Sequence, residues 1–200
     1  AYLDGLLGAL LEQLEQRGLR GDTLVIVTSD HGEQLGERGF YGHGNTLYPQ
    51  VLHVPLVMTF PDRVPAGVRV AQPVSLLHLA ATIQDLLGVA GGDVLPGQSL
   101  SACWDGEAAA ARVTRQIAVA EEIIGDRPPR IWSADWPGYD GGLQALFADG
   151  YAYIRALGSE PREELFHFAD DVRCEREIGE TTVGSPALEQ LRRRLDEALR

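Results

Sequence analysis

An Asp-His pair followed by a later histidine is the clearest candidate in this sequence for metal and acid–base chemistry. Asp30 and His31 follow the apolar, β-branched run at residues 23–29, and His43 lies between two glycines farther along the chain. A carboxylate oxygen and an imidazole nitrogen are suitable ligands for a divalent cation. Two protein ligands do not complete a metal site, so His43 is a candidate for the same centre.

A purely structural interpretation of these residues stays open at this point. Asp30 would then cap a helical turn, His31 would be a satisfied polar residue, and His43 would be an ordinary exposed loop histidine. Glu33 and Glu37 lie in the same glycine-rich segment. We expect both of these glutamates to be solvated rather than catalytic.

A buried strand is predicted to position the Asp-His pair. The run TLVIVTS at residues 23–29 is typical of a strand that is buried on both faces, as in a parallel sheet. Ligands of α/β proteins bind at the carboxyl edge of such a sheet. The pair would therefore lie where a bound group is accessible.

The remaining histidines and the cysteines have no neighbours that indicate catalysis. The sequence contains no G-x-S-x-G, P-loop or G-x-G-x-x-G motif. Its two cysteines are too far apart for a CxxC metal motif. We expect no catalytic role for His53, His78, His167, Cys103 and Cys174.

The composition restricts the classes of partner. Acidic residues outnumber basic ones by 29 to 17 in the 200-residue chain, the formal net charge is −12, and every basic residue is arginine. This balance argues against nucleic-acid binding and against anionic membranes, because both need clustered basic residues. A small anionic substrate, held locally by a metal ion or a few donors, stays compatible with it.

Two regions with different sequence patterns follow one another along the chain. Residues 1–105 contain an amphipathic opening helix, two apolar strands and a second helix, which predicts an α/β domain. Residues 106–200 predict a small antiparallel sheet, with a hairpin turn at Asp149-Gly150. A closing helix is expected to begin at Ser185 as its N-cap and Pro186 as its first residue.

Three ordered blocks resemble the sulfatase family of the alkaline phosphatase superfamily. They are DTLVIVTSDHGEQLGERGFYGHGNTLYPQVLHVPLVMTFP, then PVSLLHLAATIQDLLGV with LPGQSL, and finally YAYIRALGSEPREELFHFADD. The resemblance implies an α/β fold comprising part of an alkaline-phosphatase-like, mostly parallel sheet with helices. A small antiparallel sheet and a terminal helix would follow it.

The resemblance also implies the chemistry. It assigns Asp30 and His31 as ligands of a divalent metal ion (Ca²⁺, Mn²⁺, Mg²⁺ or Zn²⁺), with His43 as the catalytic residue that faces the substrate. Many sulfatases have a lysine at the position of His43, whereas a histidine followed by glycine there resembles the phosphoethanolamine transferases and a group of sulfatase-like proteins. The implied activity is hydrolysis of sulfate esters. Phosphoester hydrolysis and phosphoethanolamine or phosphoglycerol transfer are the alternatives.

The family's nucleophile motif, Cys/Ser-x-Pro-x-Arg, has no counterpart in this sequence, and the environment of Cys103, SACWDG, does not match it. We therefore expect the chain to be the carboxyl-terminal portion of a sulfatase-like enzyme. Its expected partners are the missing amino-terminal half and a small anionic ester. A catalytically inactive fragment is a further alternative, and the sequence leaves membrane association and compartment open.

Overall fold

A computed structural model of the chain describes residues 2–44, 46–89, 95–106, 110, 118–122, 141–159, 161–179 and 185–199. The helices are α1 (Tyr2–Gln16), α2 (Pro49–Leu52), α3 (Leu79–Leu87) and α4 (Pro186–Ala198). The strands are β1 (Val25–Thr28), β2 (Gln34–Leu35), β3 (Tyr41–Gly42), β4 (Leu56–Thr59), β5 (Ala118–Glu122), β6 (Leu143–Ala148), β7 (Tyr151–Ala156) and β8 (Arg162–Phe166). Four short 3₁₀ turns lie at Arg20–Asp22, Glu37–Gly39, Leu76–His78 and Leu100–Cys103 among these residues. The predicted mixture of α/β elements, carboxyl-terminal antiparallel sheet and terminal helix is confirmed.

The opening helix α1 is amphipathic, but none of its residues is buried. It ends at Gln16, and Gly18 then turns the chain with a φ of 67° in the left-handed region and an N–H that donates to the Glu15 carbonyl at 2.9 Å. Leu6 and Leu10, on the apolar side of the helix, are each about half exposed. The part of the apolar stripe at Leu6 and Leu10 is therefore uncovered by the described part of the chain, whereas Leu7, Leu11 and Leu14 are partly covered.

Strands β1 and β4 form a two-stranded antiparallel sheet in which Val25 is paired with Thr59. This arrangement differs from the parallel pairing expected from the apolar run. None of the residues of the two strands is fully buried, and Thr28 and Val57 are exposed. Apolar and β-branched residues favour a strand, but the direction of pairing depends on which other strand is adjacent, and that information is not local.

The carboxyl-terminal sheet is a four-stranded antiparallel meander in the order β5-β6-β7-β8. Asp149 and Gly150 connect β6 and β7 with φ values of 52° and 82°, as the predicted two-residue hairpin turn requires. Helix α4 begins as predicted, because the Ser185 side chain accepts a hydrogen bond from the Leu188 N–H at 3.2 Å.

The two faces of this sheet bury different neighbours. Helix α4 covers one face with Leu188, Leu191 and Leu195, which pack against Leu146, Tyr153 and Leu165. On the opposite face, Leu47 and Tyr48 from the first half of the chain join a buried cluster with Leu143, Ala145, Phe147, Ala152, Ile154, Phe166 and Cys174. The domain division at residues 105 and 106 stays a prediction. No helix in the described part of the chain is both long and apolar enough to cross a membrane.

Glu163 connects α4 to the sheet and yields a prediction about pH. Its carboxylate accepts hydrogen bonds from Arg192, at 3.1 Å from Nε, and from the Tyr153 hydroxyl at 2.5 Å. The hydrogen bond from Arg192 is the main reason that the pKa of Glu163 lies below its ordinary value of 4.5. A carboxyl group with a depressed pKa in the folded state stabilises the fold above its unfolded pKa, and the contribution is lost in acid.

We expect Glu163→Gln to lower the free energy of unfolding at neutral pH by about 1 kcal/mol. The difference from wild type should shrink as the pH falls below about 4.5, and denaturant unfolding across pH 3 to 7 measures it. Glu189→Gln is the control, because Glu189 contacts Arg192 only within the exposed surface of α4. A difference between Glu163→Gln and wild type that is independent of pH would contradict the assignment.

Candidate metal and acid–base site

Asp30 and His31 leave β1 at its carboxyl end, and each has a free ligand atom. The His31 N–H donates to Asp30 Oδ1 at 2.9 Å. His31 Nδ1 lies 2.8 Å from the Gly32 carbonyl oxygen, and because a carbonyl only accepts, Nδ1 carries the proton. Nε2 of the neutral ring is therefore free to bind a cation. It lies 3.8 Å from Asp30 Oδ2.

The Asp30–His31 pair fits a divalent metal ion. A cation that bonds each atom at about 2.0–2.2 Å can contact two ligand atoms at this spacing. The hydrogen bond from the His31 N–H is the main reason that the pKa of Asp30 lies below its ordinary value of 3.8, which keeps the carboxylate ionised. Its side chain is 85% exposed, so within the described chain the ligand atoms are open to further groups.

His43 lies directly against the His31 ring of this pair. The ring centroids of His31 and His43 are 3.9 Å apart, with the planes inclined by 30°. The turn that carries His43 follows β3, which pairs with β2 through Gln34 and Gly42. Three residues that the sequence predicted to act together are thus adjacent in the structure.

Glu33 is the member of the site that we did not expect from the sequence. Its Oε2 lies 3.0 Å from Nδ1 of His43. Since a carboxylate accepts, this contact places the proton of His43 on Nδ1 and leaves Nε2 directed elsewhere. The expectation that Glu33 is solvated is only half right, because the side chain is 47% exposed but has a specific partner. Its position three residues after Asp30 was the available signal.

A second arrangement of metal ligands is compatible with the same structure. His31, Glu33 and His43 each offer one ligand atom, and these atoms lie within 4.8 Å of one another. Two imidazoles and a carboxylate are a common donor set for Zn²⁺. Glu33 could thus either orient His43 or bind the cation itself. The two arrangements make different predictions for the variants described below.

A small cavity of about 200 Å³ opens beside the two rings. Its lining residues are His31, His43, Gly44, Thr46, Leu47 and Val51. Thr46, Leu47 and Val51 are buried, and the surface that the shallow cavity exposes is almost wholly apolar.

Close backbone packing holds the Asp-His turn in place. The Gly32 N–H donates to the Val51 carbonyl at 2.6 Å, so the turn lies directly on α2. A Cβ at position 32 would lie only 2.1 Å from the Gln50 carbonyl oxygen. Gly32 is therefore required by the close approach of two backbones.

The other candidate residues have local structural partners. Glu37 Oε2 accepts from the Leu35 N–H at 2.6 Å within the same turn. His78 is buried, and its Nδ1 accepts from the Gln98 N–H at 3.0 Å. His53 packs edge-on against Phe168, with ring centroids 6.3 Å apart.

His167 pairs with Asp170 at 2.8 Å near the end of the carboxyl-terminal sheet. Cys103 and Cys174 are free thiols. Burial is the main cause that raises the pKa of both thiols, that of Cys174 to about 12. Neither cysteine has the lowered pKa of a reactive thiolate.

These features define a class of protein: an α/β fold with a carboxylate–imidazole pair at the end of a strand. Residues 1–89 match the family model described as Sulfatase. This match supports the resemblance of the three sequence blocks to the sulfatase family.

Two curated relatives illustrate the similarity. The chain is 29% identical over 175 residues to the uncharacterized sulfatase YidJ of Escherichia coli, an alignment that covers 86% of this chain and 33% of YidJ. It is 39% identical over 101 residues to arylsulfatase K of Xenopus laevis, covering 50% of this chain and 18% of that protein. The chain thus spans about a third of the length of YidJ and less of arylsulfatase K.

A solved structure supports the fold. The phosphonate monoester hydrolase of Agrobacterium radiobacter superimposes with a TM-score of 0.73 at 23% sequence identity. The superposition covers 98% of this chain and 39% of that chain. At this level of identity the similarity establishes an alkaline-phosphatase-like fold and nothing about the substrate.

Gly32→Ala tests the close packing beneath the site. The added Cβ has to displace the backbone of α2, so we expect the free energy of unfolding to fall by about 1–3 kcal/mol. Gly8→Ala is the matched control, because nothing lies within 4 Å of a Cβ there and alanine is the better helix former by about 1 kcal/mol. Denaturant unfolding compares the two. A Gly32→Ala protein as stable as wild type would be inconsistent with the packing.

Proposed function

We propose that this chain is the carboxyl-terminal part of a metal-dependent hydrolase of sulfate esters. The observation that carries the proposal is the Asp30–His31 pair with its free Nε2, placed against His43 at the end of β1. The resemblance to arylsulfatase K supports sulfate esters as the substrate class. The 200-residue chain contributes one side of the site under this proposal.

Asp30 Oδ2 and His31 Nε2 are the atoms that would hold the metal ion. When bound, a divalent cation supplies positive charge that stabilises a developing negative charge on an ester oxygen and favours an ionised nucleophile. The chain's own contribution is to orient the ligands. The Gly32 carbonyl fixes the His31 ring through Nδ1, and the His31 N–H fixes the Asp30 carboxylate.

His43 would bind the sulfate group of the ester. Glu33 accepts from Nδ1 and thereby directs Nε2 away from itself. In the imidazolium form, in which both ring nitrogens carry a proton, Nε2 can donate to a non-bridging oxygen or transfer its proton to the leaving group. In this arrangement Glu33 is a positioning residue that acts through His43.

Phosphoester hydrolysis or phosphoryl-group transfer is the second candidate activity. It is favoured by the histidine at position 43 in a chain without lysine, where many sulfatases have a lysine. The fold itself does not discriminate, since a phosphonate monoester hydrolase shares it. Sulfate and phosphate groups are both tetrahedral anions, so assays on the intact protein have to distinguish them.

The amino-terminal half of the same protein is the partner that we propose for the uncovered surface. Helix α1 has no buried residue, and no residue of the two-stranded β1–β4 sheet is fully buried. Apolar surfaces of this kind are typical of interfaces. Without that half, the chain would be a sulfatase-like fragment with no turnover.

Variants of the intact protein test the site. We expect Asp30→Asn to lose bound metal and turnover together, and His43→Ala to retain the metal while turnover falls by about 100-fold or more. Metal analysis after dialysis and hydrolysis of matched aryl sulfates, phosphate monoesters and phosphate diesters provide the measurements. His53→Ala is the control, because His53 packs against Phe168 outside the site.

Three results would change the assignment. Metal loss in His43→Ala and Glu33→Gln, with metal retained in Asp30→Asn, would make His31, Glu33 and His43 the ligands. Turnover of phosphate esters with no turnover of sulfates would favour the second candidate activity. Full activity in Asp30→Asn would exclude the proposed site altogether.

The proposed partner can be tested with separately produced halves. We expect the 200-residue chain to associate with the amino-terminal half of its parent, and Leu6→Glu with Leu10→Glu to prevent this, because charges on the apolar stripe cannot be buried there. The double variant should leave the chain's own unfolding unchanged, since neither leucine is buried. Glu15→Gln is the control, and size-exclusion chromatography is the measurement. Association that survives the double variant would place the interface elsewhere.

A further inference from the structure

A single buried carboxylate closes the loop that carries His43. Glu164, on β8, is 6% exposed. Its Oε1 accepts from Arg38 Nη2 at 3.2 Å, and its Oε2 accepts from the Tyr48 hydroxyl at 2.5 Å. Arg38 and Tyr48 lie five residues before and five residues after His43. We infer that Glu164 is a positioning residue, which holds His43 in place by fixing both ends of its loop to the carboxyl-terminal sheet.

Arg38 has a backbone conformation that depends on these contacts. Its φ is 53°, in the left-handed region that residues with a Cβ rarely adopt. The guanidinium lies 4.5 Å from the centroid of the Tyr48 ring and donates to the Cys174 carbonyl at 2.9 Å. The contacts of the Arg38 side chain with Glu164, Cys174 and Tyr48 thus offset its unfavourable backbone conformation. Loss of the Glu164 carboxylate should therefore release the turn at Arg38.

Tyr48 supplies the second attachment. It is 2% exposed and packs edge-on against Phe166, with ring centroids 6.1 Å apart. Burial and the neighbouring Glu164 carboxylate raise the pKa of Tyr48, which keeps the hydroxyl protonated as a donor. The hydrogen bond therefore joins a fixed ring to a fixed strand.

Fixing the two ends of this loop restricts its middle. Between Arg38 and Tyr48, β3 pairs with β2 through Tyr41 and Gly42, and His43 follows directly. The position of the His43 ring against His31 is thus determined by a strand more than a hundred residues away. The value of this arrangement to catalysis rests on the proposed function, whereas the arrangement itself does not.

The neighbouring residue on β8 offers a matched control. Glu163 accepts from the Tyr153 hydroxyl at 2.5 Å and from Arg192, on the side of the sheet that α4 covers. Both glutamates thus accept from one tyrosine and at least one arginine. Glu163 does not contact residues 30–48 in any hydrogen bond of the described chain. Its loss should destabilise the fold without moving His43.

The experiment measures the position of His43 directly in the 200-residue chain, without metal or substrate. The five histidines are assigned by NMR, and the nuclear Overhauser effect between the His31 and His43 rings is recorded. We expect this effect to be lost in Glu164→Gln and in Tyr48→Phe, and to be retained in Glu163→Gln and in Tyr153→Phe. Thermal unfolding of all four variants reports the structural cost separately.

The two pairs of variants make the inference falsifiable. If Glu164→Gln does not fold, Tyr48→Phe decides, because it removes one hydroxyl and keeps the ring. An unchanged effect in Tyr48→Phe, or an equal loss in the Glu163 and Tyr153 controls, would overturn the inference. Failure of the intact protein to hydrolyse sulfate esters would leave this result untouched, so the two failures are distinguishable.

Discussion

The burial of Tyr48 against the carboxyl-terminal sheet is the interaction on which the rest of the described structure depends. Its ring fills the sheet face opposite α4, together with Leu47 and Phe166. Its hydroxyl reaches a carboxylate that would be costly to bury alone and that two arginines, Arg38 and Arg162, also contact. The packing of an apolar ring and the pairing of buried charges thus occur at one point, which links the two halves of the chain.

The site is organised as successive layers of support around two imidazoles. Backbone groups of the turn orient His31 and Asp30, and a single carboxylate orients His43. Beneath them, the contact between Gly32 and α2 leaves no space for a side chain. Ligand atoms that are this exposed gain their geometry from neighbouring hydrogen bonds rather than from burial.

Local signals predicted the elements well. The hairpin followed from Asp149-Gly150, and the start of α4 followed from Ser185 and Pro186, because turn and cap chemistry act within a few residues. The pairing of β1 with β4 could not be read in this way. Its direction depends on the partner strand, which is thirty residues away along the chain, since Val27 pairs with Val57.

The same distinction separates the predicted from the unpredicted parts of the site. Asp30 and His31 are adjacent in sequence, so their proximity was certain, while that of His43 was inferred from the need for further metal ligands and from the resemblance to a family. The partnership of Glu33 with His43 required the β2–β3 pairing, which apolar periodicity does not reveal. The contact between Tyr48 and Glu164 spans 116 positions and has no local signature.

The 116-residue separation of Tyr48 and Glu164 has a consequence for the order in which parts of the chain fold. Contacts that close long loops raise the contact order of a protein and are made late in folding. On the ribosome, the Asp-His turn emerges well before β8, so it is synthesised without the carboxylate that closes the loop after it. The two histidines can reach their mutual arrangement only after the last strand of the sheet has been added.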